Sequence, residues 1–217
     1  MDTPPTTYRQ LKSYLRTRMQ AGNFNDTLLA ILDLPARKVV NPLISFFCDK
    51  DALLRWRSVS VLGAVVARLA DENRESARVV MRRLMWSLND ESGGIGWGAP
   101  EAMGEITAHH AGMADEYGHI LLSYLAEDGN YLEHEVLQRG ALWGCGRLAH
   151  ARPERVKPAA GHLFPFLVSA DPYHRGHAAW ALRPLALAER PDAWPACLKD
   201  RSRLTFYAEG VLYECTV

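Results

Sequence analysis

Two glutamates in the middle of the chain have the type and spacing that acid–base chemistry requires. Glu101 and Glu105 lie four residues apart, so in a helix both side chains occupy one face. Paired carboxylates transfer protons when burial raises the pKa of one of them toward neutrality. Pairs at this spacing more commonly form a solvated face or bind an arginine, and we favour that interpretation over catalysis.

The cysteines and histidines do not have the spacing of a metal site. The four cysteines include no C-x-x-C pair, and the eight histidines include no H-E-x-x-H motif. We therefore predict no metal and no cofactor. No Ser-His-Asp or Cys-His arrangement can be argued from spacing either, so we predict no catalytic residue.

A glycine-rich segment, NDESGGIGWG, interrupts the helical pattern at residues 89–98. Glycines permit positive φ and close backbone approach, so exposed N–H groups in this segment could cradle an anion. The spacing matches neither the dinucleotide-binding motif nor the P-loop, and the segment has no lysine to meet a phosphate. We interpret it as a structural turn, with a ligand-binding or partner-binding loop as the alternative.

Basic residues near the N-terminus raise the question of nucleic-acid binding. Arg9, Lys12, Arg16 and Arg18 follow one another without an intervening acid, and such a stretch could contact phosphates. The whole chain, however, has 25 Lys plus Arg and 25 Asp plus Glu, so its formal net charge is zero. Nucleic-acid binders normally carry a basic surplus. We therefore favour an unidentified protein partner over nucleic acid.

The elements that position these residues are helices that recur at a regular period. Many segments place apolar residues at the i, i+3, i+4, i+7 spacing of an amphipathic helix, and no run alternates as a strand does. We therefore predict no strands. Large apolar residues are followed by small ones at spacings of 41, 40 and 37 residues, at Gly63, Gly104, Gly144 and Ala181. The large residue fills a core, and the small one lets neighbouring helices approach closely.

An aspartate precedes each recurring helix, where its carboxylate can accept the free N–H groups of the first turn. These aspartates are Asp49 or Asp51, Asp90, Asp128, Asp171 and Asp200. Arginines follow in most of the same turns, at Arg57, Arg139, Arg175 and Arg203. We predict that the two sets form an Asp–Arg ladder between successive turns.

The period of about 40 residues, the turn aspartate and the following arginine resemble the HEAT repeat. The resemblance is greatest to its short bacterial form, the PBS-lyase HEAT-like repeat. It rests on the segments VLGAVVARLA, PEAMGEI, LQRGALWGCGRLA and HAAWAL, and it covers about residues 35–215. It implies a fold, and we do not transfer the bilin lyase activity. The chain also resembles small uncharacterised bacterial HEAT-repeat proteins that carry a segment like residues 86–98.

Two enzymatic families with HEAT-like folds offer alternatives to a binding role. Deoxyhypusine hydroxylases hold two iron ions with His-Glu pairs repeated across several units, whereas only His134-Glu135 matches in this sequence. Alkylpurine DNA glycosylases of similar length bind DNA in a groove that is basic. A metal-dependent enzyme and a nucleic-acid-binding protein therefore remain the alternatives to our preferred function, a non-enzymatic protein-interaction scaffold.

We predict an all-α solenoid of four to five HEAT-like helical hairpins within one domain. Residues 1–34 form an N-terminal cap, residues 35–189 the repeats, and residues 190–217 a truncated closing repeat. Hydrophobic residues make up 48% of the chain, which is enough for a sizeable core. No signal peptide or membrane span is evident, so we expect a cytoplasmic protein.

In HEAT-like stacks the second helices of successive hairpins line the concave side, and their starts lie side by side. These starts supply the predicted partner-binding residues Trp56, Arg57, Trp97, Glu101, Glu133, Arg139, Arg175 and His177. Tryptophan and arginine dominate the energetics of many interfaces. We predict a groove centred on Trp97, Glu101 and Arg139. The alternative is that Glu101 and Arg139 pair with each other and that Trp97 packs beneath the glycine-rich loop.

Overall fold

A computed structural model describes residues 7–20, 22–89 and 96–217. Two helices form the N-terminal end: α1 (Tyr8–Gln20) and α2 (Phe24–Leu32). The outer layer consists of α3 (Ala36–Ser45), α5 (Arg74–Leu88), α7 (Ala111–Ser123) and the short helix α9 (Pro153–Val156). Helix α9 continues into a 3₁₀ segment, Lys157–Val168. Four helices form the inner layer: α4 (Ala52–Glu72), α6 (Ala99–His109), α8 (Glu135–Ala151) and α10 (Pro172–Leu182). The C-terminal end contains α11 (Trp194–Cys197), β1 (Arg203–Ala208) and β2 (Val211–Thr216).

The helices stack as an all-α solenoid, which confirms the predicted fold class. In the inner layer α4 packs on α6, α6 on α8 and α8 on α10, while each inner helix also packs on the outer element that precedes it. Glycines set the spacing between α6 and α8. A Cβ added at Gly104 would lie only 2.3 Å from the Cα of Gly144, so the two backbones touch where any side chain would separate them.

Aspartate caps start two of the inner helices, as predicted. The side chain of Asp51 accepts the N–H of Leu54 at the start of α4, and Asp171 accepts the N–H of Tyr173 at the start of α10. The prediction is wrong for α8, where His134 and not Asp128 is the N-cap residue. The Nδ1 atom of His134 accepts the backbone N–H of Val136 in the first turn, as a carboxylate oxygen would. Asp90 lies outside the described residues.

The predicted Asp–Arg ladder is confirmed at the C-terminal end of the stack, for two of its four arginines. Arg139 donates to Asp171 at 2.5 Å, and Arg175 donates to Asp200 at 2.6 Å, so each arginine binds the aspartate of the next turn. Arg16 of α1 pairs with Asp49 in the same manner. The Arg175 guanidinium group beside Asp200 lowers the pKa of Asp200 to about 2, so this carboxylate is ionised at neutral pH.

The chain ends in a β-hairpin, so the prediction of no strands is wrong. Strands β1 and β2 pair antiparallel from Arg203 opposite Thr216 to Ala208 opposite Val211. The two residues between them, Glu209 and Gly210, have φ values of 50° and 78°, as a tight turn with two left-handed positions requires. The segment 190–217, expected to form a truncated helical repeat, therefore contains a four-residue helix and a hairpin.

The hairpin does not extend the stack but lies against the inner layer. Its Leu204 contacts Gly176 of α10, and the backbone carbonyl of Tyr207 accepts the indole N–H of Trp143 in α8 at 3.2 Å. Its turn reaches Phe24 of α2, against which Gly210 packs. The hairpin thereby packs on α8 and α10 and reaches α2 with its turn. Within the described ranges, no helix is long and apolar enough to cross a membrane.

Candidate functional site

A cavity of about 560 Å³ lies beside the hairpin, where the first turns of the inner helices meet. This volume is in the range of small-molecule and side-chain pockets. Helices α4, α6, α8 and α10 each contribute lining residues because the inner helices run side by side with their starts at one edge. Five of the eight residues predicted for partner binding line it, so most of that set does share one surface: Trp56, Trp97, Glu101, Arg139 and His177.

Glu101 stands at the third position of α6, and its carboxylate is pressed against α8. A Cβ added at Gly140 would lie 2.5 Å from its Cδ, so the absence of a side chain at Gly140 makes room for it. The Oε2 atom is buried and has no hydrogen-bond partner among the described residues. Burial raises the pKa of Glu101 from 4.5 to about 7 and outweighs a backbone hydrogen bond at Glu101 and the charge of Arg55, which both lower it.

Glu105, one turn further along α6, has the opposite environment. Its carboxylate accepts Ser60 Oγ at 2.9 Å and the Arg147 guanidinium at 3.0 Å. Our interpretation of an arginine-bound glutamate is therefore confirmed for Glu105 and wrong for Glu101. The i, i+4 spacing put both on α6, but neighbouring helices supply partners to only one of them.

Arg139 is held by α10 and not by Glu101. Its guanidinium donates to Asp171 and lies over the ring of Tyr173, with 4.7 Å from Cζ to the ring centroid. The alternative in which Glu101 and Arg139 pair with each other is therefore wrong. The guanidinium group of Arg139 is therefore held in place by Asp171 and Tyr173, and it contributes a positive charge to the cavity lining.

His177 lies behind Arg139 and is buried. Its Nδ1 is 3.1 Å from the carbonyl oxygen of Arg139, and since a carbonyl only accepts, Nδ1 carries the proton. Burial lowers the pKa of His177 to about 4, so the ring is neutral at physiological pH. It packs edge-on against Tyr173 and Phe206. The environment of His177 is that of a packing residue at the base of the cavity.

Trp97 belongs to the described end of the glycine-rich segment and lines the cavity. Its ring meets His134 edge-on at 5.4 Å between centroids, and the next residue, Gly98, has a φ of 74° and starts α6. A Cβ at Gly98 would lie 2.8 Å from the Phe47 ring, so glycine is required both by conformation and by space. The predicted loop over this site includes residues 93–95, which lie outside the described residues.

Three residues of the predicted set do not line the cavity, and their role in partner binding stays a prediction. Arg57 is buried and donates to the carbonyls of Gly210, Met19 and Gly22 at 2.8, 2.8 and 3.3 Å. Arg175 donates to Asp200 and to backbone carbonyls of the preceding turn. Glu133 is exposed in the loop before α8. The alignment of helix starts brought five of the eight residues to one cavity, but it did not predict that Arg57 and Arg175 turn toward backbone carbonyls instead.

Several cavity residues were not predicted. Tyr173 and Arg55 are adjacent in sequence to the predicted helix starts, and the same alignment would have included them. Thr205 and Leu212 come from the hairpin, whose signal was the run of β-branched and aromatic residues around Glu209-Gly210. That signal was weak because β2 is mostly exposed and lacks a clear alternation.

The part of the chain that the structure describes contains no group of three or more His, Cys, Asp or Glu side chains placed to hold a metal ion. His134, the residue of the His-Glu pair, uses its Nδ1 to cap α8. The absence of a metal and of a cofactor stays a prediction.

No family model matches the chain. It is similar to an uncharacterized protein of Archaeoglobus fulgidus, with 33% identity over 107 residues. That alignment covers 49% of this chain and 52% of the relative, so the chain spans about half the length of the curated relative that it matches.

Solved structures with similar folds are designed or engineered repeat proteins. One engineered protein has a TM-score of 0.51 at 17% identity and covers 83% of this chain and 75% of its own. A second engineered protein has a TM-score of 0.54 at 18% identity, and the match covers 90% of this chain and 48% of that protein. A designed armadillo repeat protein in complex with the peptide (KR)4 has a TM-score of 0.52 at 16% identity. The match covers 90% of this chain and 83% of that protein. These likenesses show a solenoid of helical repeats.

Proposed function

We propose that this chain is a non-enzymatic interaction scaffold of the HEAT kind, most similar to the PBS-lyase HEAT-like form. It binds a segment of a protein partner in the cavity at the starts of its inner helices. One observation carries the proposal. The cavity combines aromatic rings with charged side chains from four inner helices, and the hairpin adds Thr205 and Leu212 to its lining.

The fold supports binding because stacked repeats present side chains from several helices to one ligand. The designed armadillo repeat protein similar to this chain was solved in complex with the peptide (KR)4. We extend peptide binding to this chain as part of the proposal, and we place the protein in the cytoplasm.

Trp97 and Arg139 are the proposed anchors of the interface. Tryptophan and arginine are enriched among residues whose truncation costs more than about 2 kcal/mol of binding free energy. Arg139 is already held by Asp171 and Tyr173, so binding would not require ordering of a flexible side chain.

Affinity enrichment from native lysate tests this proposal, with immobilised wild type compared with Trp97→Ala and Arg139→Ala. Trp86→Ala is the matched control because Trp86 is 76% exposed on α5 and does not line the cavity. We expect a partner that wild type and the control retain and both cavity variants lose. With purified partner, each cavity variant should weaken binding by about 1–2 kcal/mol or more. Equal retention by all four proteins, with only thermal stability reduced, would place the site elsewhere.

The nucleic-acid alternative has less support than the protein partner. Arg16 of the basic stretch pairs with Asp49, and the guanidinium of Arg18 lies over the Tyr14 ring. We expect duplex DNA to bind weakly and with strong salt dependence. Tight binding at physiological salt that Arg9→Gln and Lys12→Gln abolish would favour that alternative.

A further inference from the structure

The charged groups that line the cavity differ in whether they already have a partner. Asp49 is paired with Arg16, and Arg139 with Asp171. Arg55 donates to the backbone carbonyl of Asp49 at 2.7 Å. Glu101 alone among these described groups leaves a buried oxygen without a hydrogen bond. A buried acceptor of this kind reduces stability, so the fold retains one carboxylate that only an added donor can satisfy.

Aromatic rings line the same cavity as this carboxylate. Trp56, Trp97 and Tyr173 line the same cavity, and Phe47 packs beneath the start of α6. Aromatic faces attract cations and also cover methylene groups. A ligand that complements this lining has a positively charged, hydrogen-bonding end and an apolar stem.

We propose that the cavity binds a lysine or arginine side chain of the partner segment, with its cationic group at Glu101 and its methylene stem against Trp97. This inference rests on the proposed scaffold function and names the chemistry that the scaffold recognises. Basic side chains bury their stems along apolar surface while their charged ends find a counter-charge.

The arginines of the cavity do not take this role themselves. The planar group of Arg139 is fixed between Asp171 and the Tyr173 ring, and Arg55 is turned toward the carbonyl of Asp49. An anionic or apolar side chain would leave the Glu101 oxygen buried and unpaired, and a neutral donor would supply a hydrogen bond without a counter-charge. A lysine or arginine supplies both.

Binding of a cation should also depend on pH, because burial raises the pKa of Glu101 to about 7. The other charged or titratable groups that line the cavity are Cys48 and Asp49 before α4, Arg55 on α4, Arg139 on α8, and Tyr173 and His177 on α10. The pKa values of Asp49 and His177 are lowered, the latter to about 4, so neither titrates near neutrality. Affinity for a cation should therefore increase as pH rises through about 7 and Glu101 ionises.

Short capped peptides test the proposal with the full chain. The probes are acetyl-Gly-Lys-Gly-amide and its arginine counterpart, and the controls carry norleucine or glutamate at the centre. Binding is followed through the indole N–H resonances of the tryptophans by NMR at millimolar peptide. We expect the basic peptides to bind above neutral pH and the control peptides not to bind. Glu101→Gln should weaken binding by about tenfold or more and remove its pH dependence.

Glu133→Gln is the matched control, because Glu133 is exposed and outside the cavity. Circular dichroism verifies that each variant is folded, and Glu101→Ala repeats the test if the glutamine variant forms new hydrogen bonds. Equal binding of lysine and norleucine peptides, or none at all, overturns the inference. So does retention of basic peptides by both Glu101 variants. If the natural partner is retained by Glu101→Gln but lost by Trp97→Ala, the scaffold function stands and only the cationic specificity is wrong.

Discussion

Trp56 and Trp97 occupy aligned positions at the starts of successive inner helices, yet their surroundings differ. Trp56 stacks on Tyr207 of the hairpin, with ring centroids 5.1 Å apart and planes 14° apart, and it also contacts Trp143. Trp97 receives no ring from the hairpin and meets only the edge of His134 among the described aromatic rings. The same residue type is thus part of the packing in the region covered by the hairpin and part of a wall in the open cavity.

The polar groups of the two regions differ in the same way. In the covered region, Arg57 donates to three backbone carbonyls, including that of Gly210 in the hairpin turn. In the cavity, the buried oxygen of Glu101 has no partner. The hairpin therefore converts one part of a repeat surface into core, and the remaining part keeps the features of a binding site.

The largest expected effect comes from removing the ring that joins the hairpin to the inner layer. Tyr207 is 2% exposed and packs on Trp56 and Trp143, so Tyr207→Ala should lower the free energy of unfolding by about 3–5 kcal/mol. Tyr213→Ala on the same hairpin is the control, since Tyr213 is 48% exposed. Urea unfolding measures both. Similar losses for the two variants would contradict the view that the hairpin is held through its inner face.

Arg57→Ala should have the next largest effect. It leaves the carbonyls of Gly210, Met19 and Gly22 without this donor, and we expect a loss of about 2–4 kcal/mol. Arg82→Ala serves for comparison because Arg82 pairs with Glu75 at the surface. A loss below about 1 kcal/mol for Arg57→Ala would mean that the covered region is not tied together by this side chain.

Glu101→Gln should stabilise the protein in a pH-dependent manner. The pKa is raised to about 7 in the folded state against an ordinary 4.5, so the folded chain retains a proton that the unfolded chain loses between these values. Stability of the wild type therefore falls as pH rises through this window, and the variant avoids that loss. We expect a gain of about 1–3 kcal/mol near pH 8 and almost none near pH 4. An equal gain in stability at both pH values would show that burial does not raise the pKa of Glu101.

The smallest expected change in stability is that of Trp97→Ala, at about 1 kcal/mol or less, because its ring is partly exposed to the cavity. Its effect should appear in partner binding, as described above. Thermal unfolding beside Trp86→Ala measures the difference. A loss as large as that of Tyr207→Ala would place Trp97 in the same structural class as Trp56 and remove the contrast between the two regions.

The sequence predicted the solenoid well because helix formation and repeat packing leave local signals. Gly104 and Gly144 recur at the repeat period, and the structure places them in backbone contact between α6 and α8. Asp51 and Asp171 cap helices because an N-cap depends on only a few neighbouring residues. The Asp–Arg ladder was predictable for the same reason, as its partners recur with the repeat.

The sequence by itself therefore determined the helical stack, its period and the row of helix starts from which a site could be built. Only the tertiary structure decided that a C-terminal hairpin meets that row, stacks Tyr207 on Trp56 and accepts Arg57 at its turn, while Trp97 and Glu101 line the cavity beside it. The same holds for the two glutamates of α6: Glu105 pairs with Arg147, whereas the buried Oε2 atom of Glu101 has no hydrogen-bond partner among the described residues. The physical reason is that burial and hydrogen bonding depend on which distant segments meet, whereas periodicity and capping depend on residues within a turn or two.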